Sequence, residues 1–241
     1  MQHNAQVFDE IVNYRRSVRI YDGNPIPDDV FNRCMDRTLL APNSSNMQLW
    51  EFYRIKSDAV KKQVAYNCLN QNAAKTASEM LVVVTRRDLW KSRALFNYNQ
   101  IKQTMPDKKS LTGFSTLDYY KKLMPMLYFS EPTGLWSLGK KIMQFFVGLK
   151  KPTVHEVTGT DMRIVAHKSA ALAAQTFMLS MSAEGYDTCP MEGFDSKRMK
   201  KLLNLPCGAE INMIISYGKR KPEGVYGARL RVPKNEVVFE L

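Results

Sequence analysis

The sequence predicts an α+β fold in which a central sheet is covered by helices. Three observations carry that expectation. Two continuous apolar runs rich in β-branched residues, "MLVVVT" (80–85) and "INMIISYG" (211–218), have the look of strands buried on both sides. Helical periodicity instead marks the stretches around 5–15 and 28–39. A third helical stretch, 161–186, is rich in small residues and apolar on most faces, as expected of a helix enclosed by the core or by a partner subunit.

Taken in chain order, 5–15 places Val7, Phe8, Ile11 and Val12 on one helix face. Pro27-Asp28-Asp29 then supplies the first turn of a second helix, with proline and acids where the helix dipole favours them. Val30, Phe31, Cys34, Met35, Thr38 and Leu39 recur along it at helical spacing, and Pro42 stops it. "EFYRIK" (51–56) reads as a strand, and Ser57 is placed to cap the helix after it. "EVVFEL" at the end of the chain is a third short strand candidate. In 161–186, Arg163, His167, Lys168, Gln175 and Glu184 argue against a membrane span, because each is costly in lipid. Ala170, Ala171, Ala173, Ala174 and Ser180 leave room for another helix to approach.

Residues 95–158 differ in character, with glycines, prolines, lysine pairs and aromatics that read as an excursion from the sheet scaffold. Within it, Trp136, Ile142, Phe145, Phe146 and Leu149 against Lys140, Lys141, Lys150 and Lys151 predict an amphipathic helix. Such a helix packs on its own domain, or serves as a substrate lid or a membrane-surface element. Tyr119, Tyr120, Lys121 and Lys122 form either a grip for an acidic or zwitterionic substrate or a solvated face.

The formal charge of +12 over 241 residues favours acidic partners: phosphorylated ligands, nucleic acid or an anionic membrane surface. The basic residues are scattered, so most of them read as solvated surface. Cys34, Cys68, Cys189 and Cys207 form no C-x-x-C pair, and with only His3, His155 and His167 available no zinc cluster is expected. The opening "MQHNAQVFDE" has no charged leader followed by an apolar stretch, so the expectation is a reduced, cytoplasmic protein with unpaired thiols. A phosphate loop, a G-x-G-x-x-G fingerprint, a G-x-S-x-G elbow and an H-E-x-x-H helix are all missing. An enzyme with this inventory borrows the reactivity of a cofactor.

Four stretches carry candidate chemistry. "YRRSVR" (14–19) crowds three arginines around one hydroxyl, and "ARLRVP" (228–233) supplies two more; guanidinium forks suit phosphate oxygens. "APNSSNMQLWEF" (41–52) is dense in short polar groups suited to a hydrogen-bonding loop around a heterocycle or a ribityl chain. "CPMEGFD" (189–195) can present backbone N–H groups at a fixed angle after Pro190.

In this order and spacing the four stretches closely resemble the nitroreductase family of FMN-dependent oxidoreductases. The family pattern is R-R-S-x-R, then A-P-S-x-x-N-x-Q-P-W before a strand, then P-x-E-G-F, then a basic pair before a C-terminal proline. Here Leu49 replaces a proline and Asn43 a serine, and the 95–158 excursion is long for the family. The resemblance implies a single FMN-binding domain over 1–241 with a variable cover at 95–158. It also implies a mostly antiparallel sheet and an intertwined homodimer, with 161–185 at the two-fold interface and 236–240 crossing to the partner's sheet. By the same resemblance, Arg15, Arg16, Ser17 and Arg19 grip the flavin phosphate, ribityl chain and ring edge, and Arg229 and Arg231 complete the clamp. Pro42, Asn43, Ser44 and Asn46 reach the flavin of the other subunit, with Gln48 nearby. Asn70 contacts the ring; Pro190, Met191, Glu192 and Gly193 line its face, with a backbone N–H near N5. No catalytic side chain and no metal is implied.

The activity so implied is ping-pong hydride transfer from NADH or NADPH, through FMN, to a nitroaromatic, a quinone or a similar flat, electron-poor acceptor. Specialised relatives perform reductive dehalogenation or ring desaturation, and these are alternatives within the class. A basic module acting at nucleic acid or an anionic membrane is the alternative from another class. No zinc finger, recognition helix or RNA-recognition aromatic signature supports it. The expectation is therefore neither a nucleic-acid partner nor a membrane partner, peripheral contact by the lid being the lesser alternative.

Overall fold

The computed structural model describes residues 2–104, 115–129, 131 and 133–241. Part of the anticipated excursion, residues 105–114, 130 and 132, lies outside the described residues. Helices α1 (Gln2–Tyr14) and α2 (Asp28–Leu39) lead into β1 (Trp50–Ile55), α3 (Asp58–Asn67), α4 (Asn72–Thr76) and β2 (Glu79–Arg86). The excursion then contributes α5 (Trp90–Thr104), α6 (Thr116–Asp118), a π-type turn at Tyr119–Leu123, α7 (Met124–Tyr128) and α8 (Leu135–Gly148). Helix α9 (Gly159–Ala183), β3 (Asp187–Met191), α10 (Ser196–Leu202) and β4 (Ala209–Gly218) complete the order.

The strands form one sheet in the order β1-β2-β4-β3, with every neighbouring pair antiparallel. Strand alternation sorts β2 between two layers. Leu81 and Val83 meet Phe31 of α2 and Ala170, Ala174 and Phe177 of α9. Met80, Val82 and Val84 point the other way, onto Val64, Ala65, Ala73 and Ala74 of α3 and α4. The two apolar runs are thus buried on both sides as expected, and antiparallel pairing survives because helices cover both faces of the sheet.

Helix α9 begins with a capping box. The Thr158 N–H donates to Asp161 Oδ2 at 2.9 Å and the Asp161 N–H to Thr158 Oγ1 at 3.2 Å. It ends where Gly185, at φ +71°, lets the Tyr186 N–H turn back to the Met181 carbonyl at 2.8 Å. Ala170, Ala173 and Ala174 are fully buried along it. Among the described residues no helix is long and apolar enough to cross a membrane.

Two elements differ from expectation. Residues 187–191 form an edge strand that periodicity does not announce, because Pro190 interrupts it. An edge strand tolerates a proline, since one row of its N–H groups has no ladder partner. The C-terminal candidate 236–240 is no strand of its own sheet: Lys234–Glu236 is a 3₁₀ turn, and Val237, Val238 and Phe239 are exposed. A lone extended segment gains no ladder bonds, so its strand character requires an edge to pair with. A smaller departure is Ser57, which stands at the N-cap of α3 without a side-chain capping bond.

One buried charge cluster locks β1, β2 and β4 together. Arg54 donates to both oxygens of Glu79, at 2.6 and 3.0 Å, and the Tyr217 hydroxyl donates to the same carboxylate at 2.9 Å. The Arg54 guanidinium lies over the Phe31 ring at 3.9 Å. Because Glu79 is only 3% exposed, removing it leaves the buried Tyr217 phenol without its acceptor and the half-buried Arg54 guanidinium with Asp28 alone, at 2.8 Å. Glu79→Ala is expected to lower unfolding free energy by about 3–5 kcal/mol in urea titrations, with the slope of the transition unchanged.

Candidate functional site

The arginines from the two ends of the chain meet. Arg15, Arg16, Ser17, Arg19, Arg229 and Arg231 line one cavity of about 580 Å³, together with residues 225–228 and Leu230. The architecture that brings them there is a backbone crossing. Beyond α1 the chain runs beside the edge strand β3, where Ser17 bridges Thr188 in parallel and the Val18 N–H donates to the Thr188 carbonyl at 3.1 Å. From the other side the Arg19 N–H donates to the Gly224 carbonyl at 2.8 Å, and the Lys221 N–H to that of Ile20 at 3.1 Å. Gly224 is required at this crossing, because a Cβ there would stand 2.5 Å from the Ile20 carbonyl oxygen.

Burial fixes which side chains reach the cavity. Val18 is wholly buried in the core, and Tyr21, also buried, donates its hydroxyl to the Ser216 carbonyl at 3.0 Å. Ser17 and Arg19, on either side of Val18, are left on the outer side, where they line the cavity. No carboxylate belongs to the lining. Burial, followed by the positive charges of Arg229 and Arg231, holds the Arg15 guanidinium below its ordinary range. A cavity lined by five guanidiniums and no acid fits a dianionic phosphate.

The guanidiniums are not equivalent. Arg229 donates to the carbonyls of Val12, Asn13 and Arg15 at 3.3, 2.9 and 2.7 Å, bracing the C-terminal end of α1, where the helix dipole is negative. Arg16 donates to the Gly227 carbonyl at 2.5 Å, Arg231 to that of Leu230 at 2.6 Å, and Arg19 lies 5.3 Å from the Tyr226 ring centroid. Tyr226 and Gly227 escaped sequence reasoning; their only signal was their place just before "ARLR".

The remaining candidates fall into two other groups. Pro190 and Met191 belong to β3, and Glu192 and Gly193 are exposed just beyond it. Asn70, in the left-handed region at φ +55°, lines a separate cavity with Lys61, Lys62 and Lys75. The neighbouring Gln71, missed in the sequence, ties the two loops together by donating to the Gly193 carbonyl at 2.8 Å. The polar loop of Pro42, Asn43, Ser44, Asn46 and Gln48 does not line the arginine cavity. Its Ser45, Asn46 and Gln48 all have positive φ. Asn43 Oδ1 accepts from the Gln48 N–H at 2.8 Å, the Ser44 N–H donates to Ser169 Oγ at 3.1 Å, and Asn97 donates to the Asn46 carbonyl at 2.7 Å. Of the stretch 119–122, Lys121 and Lys122 are exposed as a solvated face would have them, while Tyr119 is half-buried and Tyr120 buried. The two tyrosine hydroxyls bond to Ser45, at 2.7 Å to its Oγ and 2.9 Å to its carbonyl respectively.

Comparison with known proteins fits this geometry. The model of the nitroreductase family matches residues 12–219, which includes the first arginine cluster, the polar loop, β3 and the whole sheet. The chain belongs to the nitroreductase family. MhqN of Bacillus subtilis (strain 168), assigned by its name to the NAD(P)H nitroreductases, is 28% identical over 235 residues, covering 96% of this chain and 97% of its own. The protein DrgA of Synechocystis sp. is 26% identical, over 88% of this chain and 83% of its own. Among solved structures, the ydfN protein of Bacillus subtilis, described as a nitroreductase, superposes with a TM-score of 0.72 at 26% identity, covering 97% of this chain and 98% of the other. A nitroreductase-type protein of Exiguobacterium sibiricum in complex with FMN shares the fold, with a TM-score of 0.68 at 22% identity and 97% coverage of both chains.

Pyrophosphate is expected to raise the unfolding temperature of the purified, flavin-free protein. At tenfold excess over its dissociation constant the stabilisation is about 1.4 kcal/mol. In Arg15→Ala, scanning fluorimetry should record a clearly smaller rise.

Proposed function

We propose that this nitroreductase-family oxidoreductase binds FMN across two subunits and uses NADH or NADPH to reduce small, flat, electron-poor acceptors such as nitroaromatics or quinones. The observation that carries the reading is the single cavity formed by guanidiniums from both ends of the chain.

In this reading Arg15, Arg16, Arg19 and Arg231 hold the phosphate, with Ser17 as a hydroxyl partner. Arg229 acts at one remove, because its guanidinium fixes α1 and the carbonyl of Arg15. The backbone of Pro190–Gly193 and the Asn70–Gln71 loop, tied by the Gln71–Gly193 bond, face the ring. Backbone N–H groups there favour negative charge on a reduced ring without a titrating side chain. When bound, FMN supplies two-electron hydride chemistry in two half-reactions, one with the nicotinamide and one with the acceptor. The protein's own share is orientation, exclusion of water and a fixed positive potential around the phosphate.

The polar loop, ordered yet absent from the arginine cavity of its own chain, is the part contributed to a second copy. The same homodimer gives the exposed C-terminal Val237, Val238 and Phe239 an edge strand to join. A cytoplasmic location belongs to the same reading.

Purified protein should be yellow, or become so with FMN, and sediment as a dimer. A preparation that gains no flavin absorbance after incubation with FMN overturns the proposal. Arg15→Ala and Arg231→Ala should each weaken FMN binding by about 1.5–3 kcal/mol, roughly 10- to 100-fold, in fluorescence titrations. Arg198→Ala on α10, which does not line the arginine cavity, should leave it unchanged.

A further inference from the structure

Helix α8 is seated by one side and exposes the other. On the seated side Lys140 is buried, and its Nζ donates to the Leu127 carbonyl at 3.1 Å. The Trp136 indole N–H donates to the Met126 carbonyl at 3.4 Å, and its ring meets Phe129 edge-on with centroids 6.0 Å apart. Gln144 and Val147 close over a cavity shared with α7 and α9. These contacts fix the rotation of the helix about its axis.

The side left outward is its most apolar. Leu135, Leu138, Ile142, Phe145, Phe146 and the capping Leu149 are each between 51% and 69% exposed. At 100° per residue they fall on one arc about 100° wide. Along about 21 Å of helix this is a continuous stripe rather than scattered surface hydrophobics. The helix carries no acidic residue, and Lys141, Lys150 and Lys151 stand exposed along or just after it. The whole chain carries a formal charge of +12.

We propose that α8 lies on an anionic phospholipid surface, with the leucine and phenylalanine stripe in the acyl–headgroup boundary and the lysines against the headgroups. An apolar arc with flanking lysines and no acids has the make-up of an interfacial helix. The charge selects lipid over a second copy. Stripe against stripe about a two-fold axis along the helices would bring Lys141, Lys150 and Lys151 towards their own images, and about a perpendicular axis would still do so for Lys141, near the helix midpoint. The inference does not depend on the assignment of the flavin.

Flotation of the purified holoprotein with vesicles tests it, using phosphatidylglycerol mixed with phosphatidylcholine against phosphatidylcholine alone, at low and high salt. Wild type should float with the anionic vesicles at low salt, and Phe145→Glu/Phe146→Glu should reduce the partition coefficient at least about tenfold. Phe145→Ser/Phe146→Ser, which adds no negative charge, should also reduce it. Lys197→Glu/Lys201→Glu on α10, which lowers net charge away from the stripe, should float nearly as wild type does. Wild type that stays in the aqueous fraction overturns the proposal. So does flotation that survives both phenylalanine pairs, which would assign it to scattered charge. A change of oligomeric state in those variants, measured by sedimentation, also overturns it, because the stripe would then be a subunit contact.

Discussion

The site depends on the backbone crossing at residues 17–21, which is held from both sides. Val18 bonds to Thr188 of the edge strand, and Arg19 and Ile20 bond to the segment that follows β4. Register here decides two things together. With Val18 and Tyr21 in the core, Ser17 and Arg19 stand in the cavity; a slip of one residue would turn a valine outward and a guanidinium inward. The crossing also needs Gly224 bare, since a Cβ there would stand 2.5 Å from the Ile20 carbonyl oxygen and 3.0 Å from Val18.

Gathering like charges has a cost, and the fold disperses it. Asp187, fully buried, takes Arg220 out of the competition by accepting from its Nε at 2.8 Å and its backbone N–H at 2.9 Å. Arg229 is spent on helix carbonyls, Arg16 and Arg231 on single carbonyls, and Arg19 on the face of Tyr226. Carbonyl dipoles and ring quadrupoles carry only partial charge, so these contacts orient the guanidiniums without neutralising them. The result is a preorganised positive cavity whose remaining donors await an anion, which lowers the ordering cost of binding one.

The sheet core and this convergence were both legible in the sequence, for different reasons. Strands β2 and β4 and helix α9 announce themselves because packing on both faces demands unbroken apolar composition. Arginines 15, 16, 19, 229 and 231 were legible as a set only through their resemblance to a known pattern, since nothing local tells residue 15 that residue 231 is its neighbour. Strand β3 was hidden because an edge needs no periodic pattern and tolerates Pro190. The division of labour among the arginines was hidden for a similar reason: whether Arg229 meets a ligand or the end of α1 is decided by where the helix stops. The tyrosines of the excursion were misread because their partner, Ser45, lies more than seventy residues away in the chain.

That misreading shows what the excursion does for the rest of the molecule. Left-handed backbone at Ser45, Asn46 and Gln48 costs about 1–3 kcal/mol at each non-glycine position and persists only where the surroundings over-determine it. The surroundings here are Asn97 from α5, Tyr119 and Tyr120 from the π-type turn, and Ser169 from α9. A loop held so firmly, yet remote from its own chain's arginine cavity, has its shape set for contact with something else, and the proposed second subunit supplies that contact. In the proposed dimer the excursion would brace the loop lent to the neighbouring site, so a displacement of 119–128 in one subunit would be felt at the flavin of the other.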